Sequence, residues 1–435
     1  MMFVSESLNV NDEGHLEIGG CDSVELASQY GTPLYVMDEQ LIRKNCRAFK
    51  SSLDKFYDGN GMVLYASKAF CSLYICKIIK EEGLGLDVVS GGEIYTALKA
   101  GFPAEKIYFH GNNKTFEEIE MALDNKIGRI MVDNLEELVS INSLAQKKGL
   151  IANVSFRIKP GIDAHTHEFI KTGQIDSKFG FALETGEAIE IIEKAVNLKN
   201  INIVGLHCHI GSQIFDVNPF VEAAEVMMNL ILEIREKFGI KISELNLGGG
   251  FGIKYTSEEE HENYEAFLKA VSKKIKSICK EKDFDVPQIL IEPGRAIVGA
   301  AGITLYTVGS VKQIPGIRKY VSVDGGMSDN PRYILYQAEH EAVCANKANE
   351  PKKDVITLAG KCCESGDLIG EGMKLQEVKA GDIVAVMSTG AYNYSMSSNY
   401  NRIPRPAVVM VKEGTHKLIV KRENYEDLIK NDLIN

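Results

Sequence analysis

Lys68 closes the apolar, strand-like run Val63-Leu64-Tyr65-Ala66-Ser67. Desolvation there disfavours the ammonium and frees the amine, which is what a Schiff-base lysine requires. A lysine snorkelling from a strand end to the surface fits the same pattern. Glu292 directly follows Ile289-Leu290-Ile291. A carboxylate in such a place needs a cation or a protonated ring nitrogen. Arg295, three residues on, is one candidate cation, in a purely structural ion pair. Gly248-Gly249-Gly250-Phe251-Gly252 lets backbone N–H groups close on an anion, and a phosphate is the usual occupant. Ser212, after Gly211, could add a hydroxyl. The run lacks the G-x-x-x-x-G-K-[ST] pattern of a nucleotide loop, and a flexible turn is the plain alternative. His207 and His209 alternate along a strand and so share one face. No carboxylate or third ligand lies near them in sequence, so no metal is expected. A ring stacked on a flat cofactor, or a satisfied core histidine, accounts for them better. His165-Thr166-His167 lies in a polar loop and is weak by itself.

An amine for an aldehyde, an anion for a ring nitrogen, a stacking ring and a phosphate cradle describe one cofactor. Pyridoxal 5'-phosphate needs each of them. Every one of these signals falls at the end of a predicted strand.

Eight β-branched runs are the predicted strands: Val63–Ala66, Leu86–Val89, Ile107–His110, Arg129–Val132, Asn153–Ile158, Ile203–His207, Glu244–Leu247 and Gln288–Ile291. Helical patterns lie between them, over Ser72–Glu82, Gly91–Ala100, Thr115–Leu123, Asn134–Lys148, Thr185–Asn197, Pro219–Phe238 and Tyr264–Lys280. Capping-box spacings occur at Thr115/Glu118 and Thr256/Glu259, and Asp38 is a candidate N-cap. The alternation predicts an α/β fold, a (β/α)8 TIM-type barrel, with an open doubly wound sheet as the alternative. Loops after the strand C-termini of a barrel converge on one mouth, where the site is expected.

After Gly299 the pattern changes to strands separated by Gly, Pro and Asp turns: Ile303–Val311, Tyr320–Asp324, Asp354–Ala359, Ile383–Met387, Ala407–Lys412 and Thr415–Lys421. A short helix follows at Tyr425–Ile429. The first ~35 residues also resemble short strands. The expected division is a barrel over 36–299 and a β-sandwich or barrel-like domain from 1–35 plus 300–435.

The 435 residues are 45% hydrophobic and 25% charged, the balance of a globular protein. A net charge of −11 argues against nucleic acid as a partner. No apolar run nears the ~20 residues of a membrane span, and the N-terminus lacks signal-peptide character. Nine cysteines without Cys-x-x-Cys spacing suggest free thiols in the cytoplasm.

Tyr65-Ala66-Ser67-Lys68-Ala69, His209-Ile210-Gly211-Ser212-Gln213, Gly248–Gly252, Glu292-Pro293-Gly294-Arg295, Cys363-Glu364-Ser365-Gly366-Asp367 and Gly390-Ala391-Tyr392 together resemble the fold-type III pyridoxal-phosphate decarboxylases. Pro160–Glu168 and Arg332-Tyr333-Ile334-Leu335-Tyr336 are similar to the branch that converts meso-2,6-diaminopimelate to L-lysine and carbon dioxide, the last step of lysine synthesis. The resemblance implies that Lys68 forms the Schiff base and His209 stacks on the cofactor ring. Glu292 would hold the ring nitrogen, and Ser212 with Gly248, Gly249 and Gly250 the phosphate. Asp87 and Arg157 would lie near the cofactor, as would Gly294. Arg295, Arg332 and Tyr336 would bind the distal end of the substrate, Arg295 also reaching the cofactor. Cys363 would protonate the carbanion, Glu364 would read the distal amine, and Tyr392 would touch both phosphate and substrate. A homodimer with shared sites is implied, its cysteine loop reaching in from the partner. Cys362 is a departure from the pattern, and Glu364–Asp367 sets the register on Cys363. Sister decarboxylases of ornithine, lysine, arginine or carboxynorspermidine, and a catalytically silent binding protein on the same scaffold, are the alternatives. The silent protein should have lost the lysine, cysteine or phosphate loop, and all are present.

Overall fold

The computed structural model describes residues 3–162, 176–259 and 263–434. His165 and His167, with most of Pro160–Glu168, lie outside the described residues. The chain forms two compact units. One comprises Asn45–Gly252 and His261–Gly294; the other comprises Met1–Lys44, Ile253–Glu260 and Arg295–Asn435.

In the first unit, eight parallel strands close on themselves among the described residues. They are β1 (Gly61–Ala66), β2 (Gly85–Val88), β3 (Ile107–Phe109), β4 (Arg129–Val132), β5 (Ala152–Lys159), β6 (Ile201–Cys208), β7 (Glu244–Asn246) and β8 (Gln288–Ile291). The last returns to the first, with Leu290 opposite Met62. All eight expected strands are present, in the expected order, as a TIM-type barrel. Strands β2 and β3 are buried at every residue, as parallel strands covered on both faces must be. Leu64, Tyr108, Met131 and Leu290 pack together. Arg129 and Glu244, the first residues of β4 and β7, form an ion pair at 2.6 Å, opposite the strand C-termini.

Helices follow the strands where the pattern places them, several of them started by a side-chain cap. Ser72, Ser90 and Asn134 accept backbone N–H bonds at the starts of Leu73–Glu81, Gly91–Lys99 and Leu135–Lys148. Thr115 and Glu118 form the capping box of Phe116–Asp124. Thr256 and Glu259 do not start a helix. Glu259 instead accepts the N–H groups of Tyr255 and Thr256 at 2.5 and 3.0 Å, and the next helix, Tyr264–Glu281, is capped by Asn263.

The second unit is built mainly from strands. Its large sheet runs in the order Leu368–Leu375, Asp354–Ala359, Arg318–Val323, Gly302–Ile314, Leu34–Asp38, Ala407–Lys412, Thr415–Val420. Ala342–Cys344 and Ile383–Val386 pair alongside. Leu34–Asp38 is wholly buried, antiparallel to Gly302–Ile314 and parallel to Ala407–Lys412. The boundary expected after residue 35 therefore falls inside this strand. Asp38 accepts the Gln40 N–H at 2.8 Å, at the start of helix Glu39–Phe56. The N-terminal segment gives the three short strands Leu8–Val10, Leu16–Ile18 and Cys21–Asp22, and also an unexpected helix, Ser23–Tyr30, capped by Asp22. Among the described residues no helix is long and apolar enough to cross a membrane.

Candidate active site

The barrel unit gathers unusual residues at its strand C-termini. Lys68 sits in the single turn Ser67–Ala69 after β1, exposed, between buried neighbours. Asp87 is on β2, His110 just after β3, Arg157 on β5, His207 on β6, Asn246 on β7 and Glu292 just after β8. Their side chains form one buried polar cluster around Glu292. Asn246 Nδ2 donates to Glu292 Oε1 at 2.6 Å, and His110 Nε2 lies 3.0 Å from the same oxygen. His207 Nε2 lies 3.3 Å from Oε2. His110 also faces Asp87 Oδ1 at 3.7 Å.

The charges follow from this packing. Burial alone would push the Glu292 carboxyl up, but His110 and His207 hold it well below the usual range. Burial pulls His110 down; Asp87 and Glu292 outweigh it and raise the imidazole above its ordinary value. Burial drops His207 to about 4, so it donates as a neutral ring. Asp87 is raised, chiefly by burial. Burial also lowers the Arg157 guanidinium, which stacks over Phe179 at 4.2 Å. Glu292 is thus held by His110, His207 and Asn246. None of these partners is close to Glu292 in sequence.

His209 follows β6, half-buried, with its imidazole held well below the ordinary value by burial and then by Lys68 and Arg157. Gly248, Gly249 and Gly250 follow β7. A side chain at these positions would run into the carbonyls of Cys208, Glu292 and Gly211, and Gly248 and Gly250 have φ of 71° and 109°. Only glycine fits this close approach of backbones. Ser212 lies half-buried in the loop after His209. Gly294 packs where a side chain would meet Ala66 and Ala69.

The second unit holds a separate cluster. Arg295 and Arg332 are both buried. Their guanidinium carbons lie 4.9 and 5.4 Å from the centroid of the Tyr392 ring, and Arg332 also faces Tyr336 at 5.1 Å. Arg295 donates to the Tyr255 hydroxyl. Burial lowers the Arg332 guanidinium, with Arg295 adding to the effect. Arg332 forms no ion pair among the described residues, and its buried Nε has no hydrogen-bond partner there. Two buried guanidinium groups facing one aromatic ring are a ready receptor for a carboxylate.

Cys362 and Cys363 differ sharply. Cys362 is buried, its N–H held by Asp367 Oδ2 at 2.6 Å and its thiol pushed to about 11, chiefly by burial. Cys363 is exposed, its N–H bonded to Asn401 Oδ1 at 2.8 Å. Glu364 is exposed beside it.

Residues 39–299 match the pyridoxal-binding domain of the pyridoxal-dependent decarboxylases. The chain is 51% identical over 99% of its length to the diaminopimelate decarboxylase of Bacillus subtilis (strain 168), covering 98% of that protein. The chain belongs to the diaminopimelate decarboxylase family. The M. jannaschii member, solved in co-complex with L-lysine, superposes with a TM-score of 0.92 at 38% identity, covering 100% of this chain and 99% of that one. A lysine/ornithine decarboxylase from Vibrio vulnificus, complexed with putrescine, is more distant, at TM-score 0.75 and 25% identity over 90% of this chain and 97% of that one.

The decarboxylase family is pyridoxal-dependent, and the residues present fit that group. The glycine run allows the close backbone approach at the strand ends that a backbone phosphate site needs, and Glu292 is a buried, ionised acceptor. Lys68 is the exposed amine at the same strand ends. Sequence reasoning placed His110 at a strand end without giving it a role, and missed Asn246 and Tyr255. The first two shared a signal, a polar residue ending an apolar strand. Tyr255 had none. Glu93 was missed as well; it accepts the Val89 N–H at 2.7 Å and lies beside Ser67 and Lys68.

Proposed function

We propose that this pyridoxal-phosphate-dependent carboxy-lyase converts meso-2,6-diaminopimelate to L-lysine and carbon dioxide, the final step of lysine biosynthesis. The observation that carries the substrate is the buried pair Arg295 and Arg332 around Tyr392. Diaminopimelate has a carboxylate and an ammonium at each end. The arginines and Tyr336 receive the distal carboxylate, and Glu364 reads the distal ammonium. A site for ornithine or lysine, which lack that carboxylate, would need an acid in place of the arginine pair.

Lys68 would hold the cofactor through its aldehyde, and Glu292 would receive the ring nitrogen. His209 would stack on the ring, Gly248, Gly249, Gly250 and Ser212 would bind the phosphate, and Tyr392 would contact it. Asp87, Arg157, Gly294 and Arg295 would complete the surround. When bound, pyridoxal phosphate supplies the electron sink for the pair left by the departing carbon dioxide. Cys363 would supply the proton that replaces the carboxylate.

The exposed turn of Cys363 and Glu364 supports a homodimer in which this turn serves the partner's site. We assign cofactor binding chiefly to Asn45–Gly252 with His261–Gly294, and substrate binding and proton delivery chiefly to the strand-rich unit. Nine free cysteines support a cytoplasmic setting.

The test is direct. The purified protein with pyridoxal phosphate should be yellow and bleach with borohydride. It should release carbon dioxide from meso-diaminopimelate and not from L-lysine or L-ornithine. Equal release from ornithine would overturn the substrate reading.

A further inference from the structure

Glu292 has two oxygens in unequal surroundings. Oε1 is crowded by the Asn246 amide at 2.6 Å and the His110 imidazole at 3.0 Å. Oε2 has the longer contact, 3.3 Å to His207, whose ring is neutral. A carboxylate oxygen offers about two acceptor sites. Oε1 thus has two groups within 3.0 Å, the Asn246 hydrogen bond and the His110 ion-pair contact, whereas Oε2 has one, at 3.3 Å.

His110 is the ring in the group that its neighbours Asp87 and Glu292 hold above its ordinary value. It stands between two carboxylates, Asp87 on β2 and Glu292 after β8, with its ring 4.8 Å from that of His207 on β6. Arg157 on β5 is the remaining charge that acts on it. Three side chains with metal-ligating atoms meet here, His110, His207 and Glu292, all within 4.8 Å. Their bonds to one another account for that clustering.

We propose that His110 and Asn246 are positioning residues that occupy Oε1 of Glu292, so that Oε2 is the atom that receives the pyridine N–H of the cofactor. His110 sets the charge of the acceptor and Asn246 sets its rotation. His207 steadies Oε2 from the side without competing for the ring proton. The sequence reading gave none of these three a part in holding Glu292.

The experiment uses the full-length protein loaded with pyridoxal phosphate labelled with ¹⁵N in the ring. No substrate is added, so the result is independent of the diaminopimelate reading. In the wild type the ring nitrogen should give the shift of a protonated pyridine. In His110→Gln, which keeps a donor and loses the charge, the ring should deprotonate at lower pH. Cofactor affinity should fall about tenfold, the scale of one charge-assisted hydrogen bond. In Asn246→Ala, Oε1 reopens and the nitrogen signal should broaden or split between two acceptor geometries. A ¹³C titration of the Glu292 carboxyl in the cofactor-free protein provides a second readout. It should move upward in His110→Gln, and far-ultraviolet circular dichroism confirms that both variants fold. A ring-nitrogen shift and a Glu292 titration unchanged in both folded variants would overturn the proposal.

Discussion

The guanidinium of Arg295 stands 4.9 Å from the centroid of the Tyr392 ring. Arg332 reaches the same ring at 5.4 Å, so one phenol organises two buried cations. Tyr392 itself has φ of 64°, a left-handed backbone that non-glycine residues adopt at some cost.

Arg332→Ala should lower kcat/KM for diaminopimelate by at least about 30-fold, the effect of removing one partner of a buried charge pair. Cofactor affinity should stay within about twofold. Steady-state kinetics beside a fluorescence titration of pyridoxal phosphate separates the two. Full activity in the variant would remove the distal-carboxylate role.

Lys68→Ala should bind pyridoxal phosphate without linking to it. Borohydride treatment followed by mass spectrometry should find the cofactor attached to the wild type and absent from the variant. A cofactor mass on another lysine would displace Lys68 from its role.

Cys363→Ala should cut turnover by about 10²–10⁴, the range for losing a general acid. Cys362→Ser should keep most activity and lose stability. Its thiol is buried and raised to about 11, so iodoacetamide at pH 8 should label Cys363 first. Mass mapping of the labelled peptide resolves the neighbours, and faster labelling at Cys362 would reverse the assignment.

Asp329 is buried and raised to about 7, first by burial. It accepts the Tyr306 hydroxyl at 2.5 Å and the Gly326 N–H at 3.0 Å, with Asp324 and Asp367 adding repulsion. The folded chain holds this proton more tightly than the unfolded one. Its stabilisation is complete below the unfolded carboxyl value of about 4 and is lost as pH rises through about 7. Asp329→Asn should therefore narrow the fall in melting temperature between pH 6 and pH 8. Differential scanning calorimetry at both values tests this, and an undiminished fall would place the pH dependence elsewhere.

The barrel was legible because most of its strands are short, largely apolar runs, which parallel strands buried on both faces demand. The second unit was harder to read. Leu368–Leu375 carries Gly370 and Gly372, which break the alternation, and Ala342–Cys344 is only three residues long. Helix Ser23–Tyr30 hid among short strands because eight residues barely establish a period. The lysine, the glycine cradle and Glu292 could be found because each is odd within its own segment. His110 and Asn246 carry only a weak local signal, a polar residue at a strand end, and gain a shared partner when β3, β7 and β8 converge.

Leu34–Asp38 lies between Gly302–Ile314 and Ala407–Lys412, buried at every residue. A ribosome makes this strand early and its two partners late. At about 5–20 residues per second, the strand waits on the order of tens of seconds for its last neighbour. Such long-range pairing closes slowly, whereas each barrel strand meets a neighbour soon after synthesis. The barrel is therefore free to assemble while the chain is still growing. The apolar strand lacks its last neighbour until Ala407–Lys412 has been made, and chaperone dependence should concentrate in that interval.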